Sequence, residues 1–134
     1  MYLVDTNALS ELARPRPDAA VLAWFDREDR IAVSVISIEE LSFGVARAPA
    51  SRRNKLASWL EQVIDRAAYV YDVSPAIARV SGDLRGARTS AGRPVAQADM
   101  LIAATAAVHG LSLATRNVAD FVGCGVTVVN PFVP

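Results

Sequence analysis

Short apolar runs that stop at polar residues punctuate this chain, and between them apolar positions recur every three or four residues. Tyr2-Leu3-Val4 is the first run and ends at Asp5-Thr6-Asn7, the pattern of a buried parallel strand that delivers polar groups to a helix start. Ala8, Leu9 and Leu12 give the following short helix its apolar face. Arg14-Pro15-Arg16-Pro17 stops it, because proline lacks the donor a helix ladder needs and restricts the residue before it. Asp18 is expected to cap a second helix through about Asp29, with Val21, Leu22, Trp24 and Phe25 inward. Ile31 to Val35 is β-branched enough for a second strand, and Ser37 with Glu40 has the form of a capping box opening the next helix, which runs toward Ala48-Pro49. Ser51 is expected to cap a further helix to about Arg66, with Leu56, Trp59, Leu60 and Val63 at helical spacing.

Tyr69 to Val73 forms a third strand on the same reasoning. Ser74-Pro75 then places a cap before a first-turn proline, beginning a helix through Ile77, Val80, Leu84 and Ala87 that ends before Gly92-Arg93-Pro94. The next helix spans about Ala96 to His109 and is closed by Gly110; Leu111 to Ala114 and Val126 to Val129 complete the strands. Strands alternating with helices in this order predict an α/β fold, a three-layer sandwich with a mostly parallel sheet of about five strands flanked by helices. Residues 1–134 are expected to form a single domain. In such folds ligands bind beyond the carboxyl ends of the strands, so the polar residues placed there become the candidates for chemistry.

Composition narrows the chemistry. Fourteen basic residues balance fourteen acidic ones, which removes the broad electrostatic attraction that a strongly basic protein offers to nucleic acid. Any nucleic-acid binding must then be local or metal-assisted. A single cysteine, Cys124, and a single histidine, His109, exclude an internal disulfide and a Cys/His zinc site, and a reducing, cytoplasmic setting is the expectation. The opening Met1-Tyr2-Leu3-Val4-Asp5 has no basic leader, long apolar core or cleavage site, so no secretion signal is expected. The longest apolar stretch, Met100 to Val108, is broken by Thr105 and falls far short of the ~20 residues of a membrane helix.

Acids and hydroxyls collect at the predicted strand ends. Asp5 follows the first strand directly, where it either caps the helix or faces the ligand crevice. Glu39 and Glu40 lie on opposite flanks of a helix whose inward residues are Ile38, Leu41 and Val45, and periodicity does not choose between them. The small residues Ser37 and Gly44 on the Glu40 flank, which allow close approach, favour Glu40. Asp99 precedes the run Met100 to Val108, apolar all round, so its carboxylate needs either the helix dipole and backbone N–H groups or a cation. The fourth strand delivers Thr115, Asn117 and Asp120 to the same edge. Carboxylates converging without histidine or thiolate form the ligand set of a hard cation, Mg2+ or Mn2+. Such an ion keeps several waters and takes substrate phosphate oxygens, an arrangement suited to hydrolysing a phosphodiester.

These residues resemble a known family. Val4-Asp5-Thr6-Asn7, Ile38-Glu39-Glu40-Leu41-Ser42-Phe43-Gly44, Asp99-Met100-Leu101-Ile102-Ala103-Ala104-Thr105-Ala106 and Thr115-Arg116-Asn117-Val118-Ala119-Asp120-Phe121 are similar to the motifs of the PIN-domain ribonucleases. Within that family the chain resembles the VapC-type toxins of toxin–antitoxin pairs, nearest their FitB-like branch, whose ending Val129-Asn130-Pro131-Phe132 also matches. The resemblance spans nearly the whole chain. It implies that Asp5, Glu40, Asp99 and Asp120 are the catalytic, metal-binding acids, with Asn7, Thr115 and Asn117 in support; the family's acid immediately precedes a leucine, as Glu40 does. It also implies cleavage of RNA with Mg2+ or Mn2+, a homodimer, and a cognate VapB-type antitoxin through which alone operator DNA is reached. Arg14, Arg47, Arg85, Arg88, Arg93 and Arg116 are candidates to hold RNA phosphates, against the plainer reading of solvated surface charge.

Other classes fit less well. A Ser-His-Asp hydrolase would need His109 as base, yet that residue precedes Gly110 at a helix end, where a dipole contact is the simpler role. A receiver domain would need a strand-end lysine, and Lys55, the only lysine, falls within a helix. No Gly-rich loop with Lys-Ser or Lys-Thr is present for a nucleotide phosphate. Two alternatives keep the fold: a catalytically idle binding module acting through an antitoxin and DNA, and a nuclease acting on DNA.

Overall fold

The computed structural model describes residues Met1–Pro134. Five parallel strands, β1 (Tyr2–Val4), β2 (Ile31–Ser34), β3 (Tyr69–Tyr71), β4 (Ser112–Ala114) and β5 (Val128–Val129), form one sheet in the order β3-β2-β1-β4-β5. The chain builds outward from β1 to β3 on one side and then returns to add β4 and β5 on the other. The order therefore reverses at β1, and the crevice between the carboxyl ends of β1 and β4 lies at that switch point.

Alternation within each strand divides the core into two layers. Leu3, Ala32 and Leu113 face one side, where they pack with Met100, Ile102, Ala103 and Ala106 of α6 (Gln97–His109), Phe121 and Cys124, with Leu84 of α5 (Pro75–Ser90) alongside. Val4, Val33 and Ala114 face the other side. There they meet Ala8 and Leu9 of α1 (Thr6–Glu11), Trp24 of α2 (Ala19–Arg27), Leu41 of α3 (Val35–Arg47) and Leu60 of α4 (Ala50–Arg66). The predicted sandwich is thus observed, with every strand pair parallel. A helix apolar all round is a buried helix, and in α6 the run Ile102–Ala106 is wholly buried.

Several caps follow the sequence pattern. Asp18 accepts from the amides of Ala20 and Val21, Ser74 accepts from Ile77 ahead of Pro75, and Gly110 closes α6 at φ 65°. Others differ. Ser34, at the end of β2, caps α3 by accepting from Ile36, so Ser37 and Glu40 lie inside the helix and form no capping box. Their side chains turn instead toward α1. Helix α4 begins at Ala50 after Pro49 with no side-chain cap, so Ser51 is an ordinary first-turn residue. Leu22, expected inward, is 42% exposed. β3 stops at Tyr71 because its one neighbour, β2, ends at the paired Ser34, and β5 is limited to Val128–Val129 opposite Leu113 and Ala114, where β4 ends. No helix is long and apolar enough to cross a membrane.

Candidate active site

Because all five strands run the same way, the segments after β1, β2 and β4 emerge at one edge of the sheet. Asp5 is the first residue there, with its amide still in the sheet, donating to Ala114 O at 2.8 Å. It caps α1, as one reading of the sequence has it. It is also 4% exposed and takes contacts from across the sheet. One carboxylate oxygen accepts from the Thr6 amide at 2.8 Å and the other from the Thr115 hydroxyl at 2.7 Å.

Thr115 organises this corner through a division of labour. A threonine hydroxyl has one proton and two lone pairs. The proton goes to Asp5, while the oxygen accepts from the Asn117 amide at 3.1 Å and from Asn7 Nδ2 at 3.4 Å. Asn7 Oδ1 in turn accepts from the Arg116 amide at 3.2 Å. The two segments at the switch point are stitched together by side chains about 110 residues apart, which fixes where Asp5 points.

The second acid reaches this network through Thr6. Its hydroxyl donates to Glu40 Oε1 at 2.6 Å and lies 2.9 Å from the Ser37 hydroxyl. The structure therefore separates the two glutamates that periodicity leaves equivalent: Glu40 is half-buried and bonded to α1, while Glu39 is exposed. Ser37, read in the sequence as a helix cap and a small residue, is fully buried and holds Thr6. Thr6 itself was given no role by the sequence, although it stands between two candidate acids; its hydroxyl on the first turn of a helix reads locally as nothing more than helix-start chemistry.

Asp99 lies in the first turn of α6, half-buried, and Asp120 lies exposed in a 3-10 turn, Val118–Phe121. Neither carboxylate has a side-chain partner. Burial pushes the Asp99 carboxyl up to about 6, and the negative charges of Asp5, Glu40 and Asp120 add to the shift. Burial also raises Asp5; its two hydrogen bonds oppose the shift, and the charges of Glu40 and Asp120 add to it. Asp99 thus feels all three other acids, and Asp5 feels Glu40 and Asp120. No cation neutralises them, since the one ion pair in the molecule joins Arg14 to Glu11 at 3.4 Å.

The donor set is oxygen only, which suits a hard divalent cation. No three of these side chains close directly around a common point, and an ion that keeps most of its waters can bridge such spacings. The candidate phosphate ligands divide. Arg116 lies over the Phe132 ring, 4.6 Å from its centroid, at the crevice rim; Arg47 lies over Phe43; Arg88 is turned onto backbone; and Arg85 and Arg93 are exposed. His109 is exposed and stacks on Tyr71 with ring centroids 4.0 Å apart, which gives it a contact other than the helix dipole alone.

The fold and the acid-lined switch point describe an α/β protein of the PIN class. The PIN domain family model matches residues 2–121, and the chain belongs to this family. It is 35% identical over 141 residues to the VapC ribonuclease Y4jK of Sinorhizobium fredii (strain NBRC 101917 / NGR234), an alignment covering 100% of this chain and 99% of that protein. Toxin FitB of Neisseria gonorrhoeae (strain ATCC 700825 / FA 1090) is 37% identical over 138 residues, covering 98% and 99% respectively. Among solved structures, that of FitAB bound to an IR36 DNA fragment matches with a TM-score of 0.89 at 34% identity, covering 100% of this chain and 97% of that one.

Proposed function

We propose that this chain is a metal-dependent endoribonuclease, the toxin of a VapBC-type toxin–antitoxin pair, with residues 1–134 acting as one domain. The observation that carries the reading is the cluster of acids with no cation beside them at the β1/β4 switch point of a PIN fold, where burial, and after it the charges of Asp5, Glu40 and Asp120, push Asp99 up to about 6. The names of the two relatives, a ribonuclease and a toxin, support the same activity.

In this reading Asp5, Glu40, Asp99 and Asp120 hold Mg2+ or Mn2+. When bound, the cation supplies Lewis acidity toward a phosphate oxygen and makes water acidic enough to attack at neutral pH. The protein's own part is to hold charge in place. Thr115 and the Thr6 amide orient the two oxygens of Asp5, and the Thr6 hydroxyl, seated against Ser37, orients Glu40. Asn7 locks the two strand-end segments to each other through Thr115 and the Arg116 amide, while the Asn117 amide holds the Thr115 hydroxyl from within its own segment. Asp99 and Asp120 add the remaining negative charge, so the cluster draws a cation before it can tolerate a phosphate. A neutral protein thereby gains a local means of binding an anionic substrate.

A homodimer and a separately encoded VapB-type antitoxin complete the reading, with operator DNA reached through the antitoxin; the solved FitAB structure on DNA supports that arrangement. The test is cleavage of a structured RNA pool, alongside matched DNA, by antitoxin-free wild-type and Asp99→Asn protein with Mg2+, Mn2+ or EDTA. RNA cutting that needs metal and is lost with Asp99 is expected. Cutting of the DNA alone would make the protein a DNA nuclease, and folded wild-type protein inert under every metal would leave a very narrow substrate or a binding module.

A further inference from the structure

The turn that carries Asp120 has little of its own to hold it. After Phe121 the chain is irregular as far as β5, and Gly123 and Gly125 both adopt positive φ, at 82° and 75°. Local backbone bonds are few: Asp120 N donates to Asn117 O at 3.0 Å and Cys124 N to Phe121 O at 3.2 Å. Phe121 and Cys124, 1% and 5% exposed, sink into the α6 side of the core, while Asp120 between them and the crevice is exposed. Carbonyls in such a segment are left to water or to donors from elsewhere.

Arg88 supplies them. From the last turns of α5, its Nη1 donates to Asp120 O at 3.1 Å and its Nη2 to Val122 O, with Nη2 also 3.1 Å from Cys124 Sγ. A planar guanidinium with fixed, divergent donors can grip several acceptors at once, which a lysine cannot. The residue is half-buried, and both of its terminal nitrogens are committed to the turn. This leaves it a different task from the phosphate contact considered from sequence. Leu84, one helical turn earlier on α5, packs in the same cluster as Met100, the neighbour of Asp99. Arg88 thus ties the Asp120 turn to the helix layer that carries Asp99.

We propose that Arg88 is a positioning residue: by bonding the backbone of the turn it holds Asp120 in place relative to Asp99, and it touches neither the RNA nor the cation. This rests on the ribonuclease reading, but the clamp has a readout independent of it. Cys124 is the only cysteine and is buried under the turn, so its reaction rate with a disulfide reagent such as DTNB, taken in metal-free full-length protein at the high-pH plateau where loss of the Arg88 charge beside the sulfur no longer changes the thiolate fraction, reports whether the turn is held. Arg88→Ala is expected to raise that rate about tenfold or more through local opening, Arg88→Lys by less, and Asp120→Asn not at all.

Mn2+ affinity measured by calorimetry should fall about tenfold in Arg88→Ala, on the scale of losing an outer-shell support. RNA cleavage should fall at limiting Mn2+ and recover at saturating Mn2+, with the KM for RNA unchanged. Loss of cleavage with thiol rate and Mn2+ affinity both at wild-type values would overturn the proposal and make Arg88 an RNA contact. A faster thiol with unchanged Mn2+ affinity and cleavage would overturn it as well, because the clamp would then not reach the site. Should Arg88→Ala fail to fold, Arg88→Lys carries the same comparisons. If Asp120→Asn retains full Mn2+ affinity and cleavage, the assignment of Asp120 fails and the catalytic half of the proposal falls with it, while the thiol rates still decide whether the clamp exists.

Discussion

Asp5 and Glu40 are held by hydroxyls from other elements, whereas Asp99 and Asp120, across the crevice, have no side-chain hydrogen bond at all. The difference separates two tasks. A carboxylate that accepts from Thr115 and the Thr6 amide is aimed, and these bonds oppose, without cancelling, the upward push of its burial. A half-buried carboxylate with no hydrogen-bond donor of its own has nothing to oppose burial and the like charges around it, and Asp99 is pushed up to about 6. One side of the crevice supplies geometry and the other supplies demand for a cation.

The sharpest way to break this comparison is to neutralise one acid on each side. Asp5→Asn and Asp99→Asn are each expected to lower RNA cleavage on the order of 100-fold or more, the scale of losing a group that stabilises charge at a reacting centre, while circular dichroism shows the fold intact. Equal survival of cleavage in both would remove the mechanism. Next come the hydroxyls that do the aiming. Thr6→Val and Thr115→Val should cost about 10- to 100-fold in Mn2+ affinity, since outer-shell partners of metal ligands act on that scale. Thr115→Val should also destabilise the protein by about 1–3 kcal/mol in denaturant melts, because it removes a donor from an acid that is 4% exposed.

The unsupported side should instead reveal itself through pH. In the unfolded chain Asp99 titrates near its ordinary value of 3.8, but in the folded protein near 6. Between those values the folded state binds more protons than the unfolded state, so metal-free stability falls as pH rises from about 4 and levels off above about 6. The raised Asp5 carboxyl acts in the same direction. Asp99→Asn should therefore be more stable than wild type at neutral pH, on the order of 1 kcal/mol once solvent screening of a half-exposed group is allowed for. The advantage should fade as pH approaches 4. Saturating Mn2+ should raise the melting temperature of wild type and leave that of Asp99→Asn nearly unmoved. The smallest effect belongs to the exposed Glu39: Glu39→Gln should change stability by no more than about 0.5 kcal/mol and leave cleavage at wild-type rate, which separates it from Glu40.

The local grammar of the chain was legible without a structure. Apolar runs, the caps at Asp18 and Ser74, and the glycine stop at Gly110 report on residues only a few positions apart, and helix starts and stops are decided at that range. The same grammar misled where a stronger partner lay far away. Ser37 and Glu40 have the spacing of a capping box, but Ser34 at the strand end already caps the helix, which frees both side chains for Thr6. Arg88 reads in the sequence as a phosphate ligand or a surface charge, because nothing within its own helix shows that it bonds a turn 32 to 36 residues later.

By itself, then, the sequence determined the order and kind of elements, the parallel architecture they imply, and the set of acids offered at the strand ends. The sequence favoured Glu40 over Glu39, and the tertiary structure alone decided how Glu40 reaches Asp5, which hydroxyls aim the two acids, and which arginine bonds the Asp120 turn. The physical reason is range. Periodicity and capping are set by neighbours along the chain, while a hydrogen bond spanning 34 or 110 residues depends on strand order and helix placement, and these exist only once the sheet has been assembled.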